Sequence, residues 1–183
     1  NWLGRSILKV GAYCCVRYAH DIIADNVPIR EWMKQKFDCD SELSYYGADV
    51  HPPEATSYVR SIGLVPANYV LFVGAMVPDK GPDLLLQAYR QIRTEVPLVL
   101  VGDSPYFREF FHKLKREYES DSRILFTGYV YGEAYRELVA NALIYVHPLR
   151  ADGTSPALLQ ALAYGRPVIC CDLAETAAAV ENG

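Results

Sequence analysis

Two short segments carry residue types in the order an anion site needs. Pro78-Asp79-Lys80-Gly81-Pro82-Asp83 and Gly153-Thr154-Ser155-Pro156 each place a residue suited to a helix cap, Gly81 or Ser155, directly before a proline. Proline is favoured at the first helical position, because the N–H it lacks would be unpaired there anyway. Asp103-Ser104-Pro105 repeats the device. A helix start presents free N–H groups and the positive end of the dipole, which suits a phosphate or diphosphate. Lys80 would add a full charge on one side, and backbone N–H groups of Gly153, Thr154 and Ser155 would face it from the other. A capped helix start is more often purely structural, so these segments matter only if the fold brings them together.

Other chemistries find less support. No GxGxxG and no GxxxxGK[ST] is present, which removes an ordinary dinucleotide site and a P-loop. The five cysteines, Cys14, Cys15, Cys39, Cys170 and Cys171, include two adjacent pairs and no CxxC. That suits neither a disulfide framework nor a zinc site. Cys170 and Cys171 end an apolar run and are expected as small core residues, and a reducing cytoplasm is the natural setting. His147 precedes Pro148 at the end of another apolar run, within reach of a phosphate oxygen; its more ordinary task would be to satisfy a backbone group.

The elements that must position these residues show as two alternating periodicities from residue 69 onward. Tyr69-Val70-Leu71-Phe72-Val73, Pro97-Leu98-Val99-Leu100-Val101, Ile124-Leu125-Phe126, Leu143-Ile144-Tyr145-Val146 and Pro167-Val168-Ile169-Cys170-Cys171 are short, unalternating and β-branched. They read as strands buried on both faces. Between them run helical stripes: Leu85, Ala88, Tyr89, Ile92; then Phe107, Phe110, Phe111, Leu114, Tyr118; then Tyr135, Leu138, Val139, Ala142; then Leu158, Ala161, Leu162. Strand–helix alternation demands a parallel sheet with right-handed crossovers, so the fold class is α/β, a doubly wound Rossmann-like domain over 68–183. In the sheet order 3-2-1-4-5 the first and fourth strands are neighbours at the switch point, and the 74–82 and 147–156 loops face each other across the crevice.

Residues 1–67 differ. Helices are expected over 11–20 and 26–37, with Asp25 or Asn26 as N-cap, then a short strand at Leu43-Ser44-Tyr45-Tyr46. We read 1–50 as the tail of a preceding domain and 51–67, with Pro52, Pro53 and Pro66, as a linker. The chain opens on Asn1-Trp2 and stops at Glu181-Asn182-Gly183, so a piece of a longer protein, truncated at its C-terminus, is expected.

Composition narrows the rest. The 183 residues are 51% apolar and 22% charged, an ordinary globular balance. Eighteen basic against twenty-two acidic residues leave a net charge of −4 without blocks. That excludes the basic stripe of a general nucleic-acid binder. The apolar runs are too short to span a bilayer.

Phe72-Val73-Gly74-Ala75-Met76-Val77-Pro78-Asp79-Lys80-Gly81-Pro82-Asp83-Leu84-Leu85 resembles the first strand and turn of the C-terminal domain of the family-four retaining glycosyltransferases of GT-B fold. Leu100-Val101-Gly102-Asp103-Ser104-Pro105 and Ile124-Leu125-Phe126-Thr127-Gly128-Tyr129-Val130 follow at the expected places. The segment from Asp152 to Ile169 is similar to that family's most specific stretch. Ile22-Ile23-Ala24-Asp25-Asn26 and Tyr46-Gly47-Ala48-Asp49 look like the end of its N-terminal, acceptor-binding domain. The resemblance implies a nucleoside diphosphate sugar donor, transfer with retention of the anomeric configuration, and no metal or other cofactor. A lysine, an arginine and helix starts neutralise the departing diphosphate. It assigns Lys80 and Asp152 as catalytic and Gly74, Gly102, Asp103, Gly128, Val130, Gly153, Thr154, Ser155 and Gln160 to donor binding. Within that set, Gly102-Asp103 and Gly128-Tyr129-Val130 would read the base through backbone groups.

This sequence departs from the pattern at three positions. Ala75 stands where the family usually has an arginine, and the paired glutamates eight positions apart are here Asp152 and Gln160. Gln160 could meet a ribose hydroxyl only as a neutral acceptor. The reading is therefore a hexosyl-type glycosyltransferase acting on a polysaccharide or lipid-linked acceptor, the chain alone being inactive. The protein would sit in the cytoplasm, or peripherally at the inner face of the membrane. The alternative is a catalytically degenerate GT-B module used for nucleotide binding or protein interaction. A sugar-nucleotide epimerase of the same fold is a weaker third, since it lacks these motifs.

Overall fold

The computed structural model describes residues 2–150 and 155–180. The elements in order are α1 (Trp2–Tyr18), β1 (Ile23–Ala24), α2 (Val27–Phe37), β2 (Glu42–Leu43), α3 (Ser57–Ser61), β3 (Val70–Val73), α4 (Pro82–Arg90), β4 (Leu98–Val101), α5 (Arg108–Tyr118), β5 (Ile124–Gly128), α6 (Gly132–Ala140), β6 (Ile144–His147), α7 (Pro156–Ala163), β7 (Val168–Cys170) and α8 (Ala174–Ala179). β1 and β2 form a small parallel pair. The other five strands make one parallel sheet of order β5-β4-β3-β6-β7, the 3-2-1-4-5 order expected from the sequence. No helix among the described residues is long and apolar enough to cross a membrane.

Alternate residues of each central strand feed two cores. Leu71, Val99, Val101 and Tyr145 point to the face covered by α3, α6 and α7, where Val59, Leu138, Val139, Leu158 and Ala161 are buried. Phe72, Leu98, Leu100 and Val146 point to the other, covered by Leu85, Leu86 and Tyr89 of α4 and Phe111, Leu114 and Tyr118 of α5. Two tyrosines tie their hydroxyls to carbonyls at these faces: Tyr69 donates to Leu138 O at 2.7 Å, and Tyr89 to Val96 O.

Several local expectations change. β4, central and covered on both sides, is buried throughout, whereas β5 and β7 lie at the sheet's edges and are only half-buried. Cys170 and Cys171 are consequently partly exposed rather than core residues. On α4 the buried stripe is Pro82, Leu85, Leu86 and Tyr89; Ala88 faces solvent, and so does Ile92 just past the helix end. Pro105 does not open α5, which begins at Arg108. Instead the buried Ser104 hydroxyl accepts from Phe107 N–H at 3.0 Å and closes a turn ahead of the helix. The 51–67 stretch contains α3, docked on α6 by a buried carboxylate. Glu137 accepts from Tyr58 N–H at 2.7 Å and from the Ser57 hydroxyl at 3.1 Å. Upstream, Asn26 is the N-cap of α2, its side chain accepting from Ile29 N–H at 2.8 Å.

Candidate functional site

The carboxyl ends of β3, β4 and β6 open into a cavity of about 450 Å³. It sits at the switch point, where the chain runs to β4 on one side of β3 and to β6 on the other. Gly74, Ala75 and Lys80 form one lip, and Ser155, Pro156 and Ala157 at the start of α7 the opposite one. Gly102 and the segment from Tyr129 to Gly132 close the β4–β5 side, and His147 lies at the β6 side. Lys80, just ahead of the first helix start singled out in the sequence, and the second start itself share one crevice.

The Lys80 lip is built with little slack. Pro78–Lys80 is a 3₁₀ turn that ends at Gly81, whose φ of 69° is left-handed. A Cβ on Gly81 would stand 2.0 Å from the Pro148 carbonyl oxygen, so only glycine lets the two loops approach. Arg150 clasps them from outside. Its guanidinium meets the Asp83 carboxylate in a two-pronged pair at 3.1 and 2.9 Å and donates to Pro78 O at 2.9 Å, while its own N–H donates to Asp79 O at 3.0 Å. Burial lowers the pKa of the Lys80 ammonium below its ordinary value, and the neighbouring Asp79 partly offsets this.

Opposite, Ser155 holds the N-cap position of α7 with extended backbone, and its side chain makes no cap hydrogen bond. The helix start thus remains electropositive toward the cavity. Asp152, Gly153 and Thr154, the other residues expected there, lie outside the described residues.

Glycines form the β3–β4–β5 edge. Gly74 N–H donates to Val101 O at 3.0 Å, and Gly102 N–H to Gly128 O at 2.8 Å. Gly102, at φ 134°, comes so close to strand β3 that a Cβ would lie 2.0 Å from Gly74 O. Its N–H is thereby engaged with protein, so the backbone reading of a base expected at Gly102 has to use other groups. Asp103 is likewise occupied: its carbonyl accepts from Met76 N–H at 3.1 Å and its carboxylate from Ser104 N–H at 2.6 Å. Val130 lines the cavity, between Tyr129 and Tyr131, whose rings stack at 5.8 Å and 18°. Residues two apart on an extended segment share a side, so the Gly-Tyr-Val-Tyr pattern was the available signal for this aromatic ledge. Tyr131 was not singled out from the sequence, and neither was Arg150.

His147 is buried, 3% exposed, and packs its ring on Tyr145 at 5.9 Å. Its Nδ1 faces the Tyr145 hydroxyl at 3.5 Å, a side chain rather than the backbone group expected. Burial, with Lys80 nearby, pushes its pKa down to about 4, so the ring is neutral at physiological pH.

Gln160 is turned away from this cavity. Its amide donates to Asp49 O at 2.7 Å and accepts from Asp49 N–H at 3.2 Å. Arg136 reinforces the same point, pairing with the Asp49 carboxylate at 2.8 Å. Gln160 therefore latches the incoming chain to α7, and contact with a ribose would require releasing Asp49. Among the described residues no group of three or more His, Cys, Asp and Glu side chains is disposed to hold a metal ion.

Comparisons with known proteins agree with this architecture. Residues 67–183 match the family described as Glycosyl transferases group 1. The O-antigen chain mannosyltransferase C of Escherichia coli is 31% identical over 164 residues, 87% of this chain and 42% of that protein. The O-antigen chain mannosyltransferase B of the same organism is 28% identical over 152 residues, 81% of this chain and 39% of that protein. The chain thus spans about two-fifths of the length of these curated relatives. Among solved structures, Anabaena Alr3699/HepE, crystallised with UDP and glucose, superposes with a TM-score of 0.84 at 21% identity, covering 97% of this chain and 51% of that one. With the match, the sheet order and the cavity at its switch point in agreement, the chain belongs to the group 1 glycosyl transferases, and its larger unit is the Rossmann-like C-terminal domain of the GT-B fold.

Proposed function

We propose that this chain is the donor-binding part of a retaining, metal-independent glycosyltransferase that takes a sugar from a nucleoside diphosphate sugar. The observation that carries the reading is the pairing of Lys80 with the α7 start across one cavity at the switch point. Two positive groups fixed at one cavity stabilise the charge that develops on the leaving group, without reorganising when the bond breaks. Ser155, with Gly153 and Thr154, would supply N–H groups to the diphosphate, and Asp152 a carboxylate beside the transferred sugar. The base would lie against Val130 and the Tyr129–Tyr131 ledge, beside Gly102 and Gly128. The relatives are O-antigen chain mannosyltransferases, which supports a hexose donor and a polysaccharide or lipid-linked acceptor. Acceptor binding and transfer then belong to the whole protein, working in the cytoplasm or at the inner face of the membrane.

Calorimetric titration with UDP, GDP and ADP tests the reading directly. One diphosphate should bind, and Lys80→Ala should weaken it at least about tenfold, roughly 1.4 kcal/mol. Ala75, which leaves the first turn without a second cation, favours the other reading, a catalytically degenerate nucleotide-binding or interaction module. A folded chain that binds none of the three would put that module reading first.

A further inference from the structure

We propose that His147 reads the transferred sugar, its Nε2 accepting a hydrogen bond from a hydroxyl of the hexose carried by the donor. This rests on the donor-site reading above and adds a residue to it.

His147 stands at the carboxyl end of β6 and lines the cavity, though it is almost wholly withdrawn from solvent. Its Nδ1 edge is turned to Tyr145, whose hydroxyl lies 3.5 Å from it and 3.4 Å from the Val73 carbonyl. Among the described residues its Nε2 meets no protein partner. Ser41 Oγ is the one fully buried polar side-chain atom without a partner among the described residues, so Nε2, likewise unpartnered, keeps access to the cavity that His147 lines and is available to a ligand.

The network assigns the character of that edge. A tyrosine hydroxyl carries one hydrogen, and a carbonyl oxygen can only accept. Given to Val73 O, the hydrogen is no longer available to His147, and Nδ1–H must donate to the Tyr145 oxygen. Nε2 is left with a lone pair. A phosphate oxygen has no proton to offer such an acceptor at neutral pH, whereas a sugar hydroxyl does. The low basicity of the buried ring, next to Lys80, keeps it an acceptor rather than an imidazolium.

Strand order decides which hydroxyl is met. The base side of the cavity lies at β4 and β5, on one flank of β3; His147 is on β6, on the other flank. Lys80, which meets the diphosphate, stands on the turn after β3, between these two flanks, and the α7 start follows β6 itself. A group beyond the diphosphate from the base is the hexose.

The test compares diphosphate with sugar nucleotide on the 183-residue chain, using GDP against GDP-mannose and UDP against UDP-glucose, whichever pair binds. His147→Leu should weaken the sugar nucleotide about tenfold and the diphosphate less than about threefold. His147→Gln, which keeps an acceptor oxygen, should recover most of the loss. Tyr145→Phe removes the acceptor that holds the proton on Nδ1 and lets it move to Nε2; it should weaken the sugar nucleotide severalfold and spare the diphosphate. It also carries the test if melting curves show that His147→Leu does not fold. Equal weakening of both ligands, or no change in either, overturns the inference while leaving Lys80-dependent diphosphate binding intact. If the folded wild-type chain binds no nucleotide at all, the donor-site reading falls and this one with it.

Discussion

Lys80 and His147 share one cavity, and both are harder to protonate there than in water. Burial lowers the proton affinity of both, and the Lys80 charge adds to the effect at His147. The consequence reaches stability through linkage. Unfolded, the imidazole titrates near its ordinary value of about 6.5; folded, near 4. Between those values the unfolded chain takes up a proton that the folded chain refuses, so stability rises with pH through this window and is lost as pH falls from 6.5 to 4. The shift corresponds to something on the order of 3 kcal/mol for this buried group. Urea unfolding at pH 4.5 and 7.5 should show the wild type losing a large part of its stability at the lower pH. His147→Gln should show a much flatter dependence. A variant with the same pH slope as the wild type would mean that His147 is not the group responsible.

At the scale of elements, α7 does two jobs at its two ends. Its first turn faces the cavity, while Gln160, on the next turn, grips the backbone of Asp49 with a donor and an acceptor at once. Only an amide can do this: a carboxylate could still accept from Asp49 N–H but would set oxygen against oxygen at the Asp49 carbonyl. The substitution of glutamine for the family's usual glutamate is therefore matched by a structural use. Gln160→Glu should lower stability by about 1–3 kcal/mol, the cost of losing one hydrogen bond and leaving its partner unpaired, and should change nucleotide affinity less than about threefold. Denaturant midpoints and calorimetry measure the two effects. A sharp gain in nucleotide affinity would instead mean that the side chain at 160 reaches the ribose, as the family resemblance implies.

Across the whole molecule the burial is uneven. The two cores lie almost entirely within residues 59–164, on either face of the five-stranded sheet. Among the residues whose burial is described, those up to Val50 contribute only Ala24 and Asn26 to the buried set. Ile7, Leu8, Val10, Tyr13 and Tyr18 of α1 are each more than 60% exposed. A helix held by few tertiary contacts keeps little of its stability, since most of it comes from packing. Hydrogen exchange should find the amides of Leu71, Leu100 and Tyr145 opening only with global unfolding, and those of α1 exchanging orders of magnitude faster. Uniform protection across both regions would show α1 to be held more firmly than its exposure implies.

The sequence by itself determined the fold class, the strand order and the meeting of the Lys80 turn with the α7 start at one crevice. These depend on chain-local signals: short unalternating apolar runs, period-3.6 stripes, proline after a cap, and the fixed hand of the crossover. Burial at the sheet edges was not legible, because Val168-Ile169-Cys170 reads like Leu98-Val99-Leu100 until the neighbours on each side are known. Nor were the uses of particular side chains. Whether Gln160 meets a ribose or Asp49, whether Gly102 N–H is spent on Gly128, and which atom of His147 is left facing the cavity depend on partners distant in sequence. A polar group bonds to whatever lies within about 3 Å once the chain has folded, and that choice belongs to the tertiary structure.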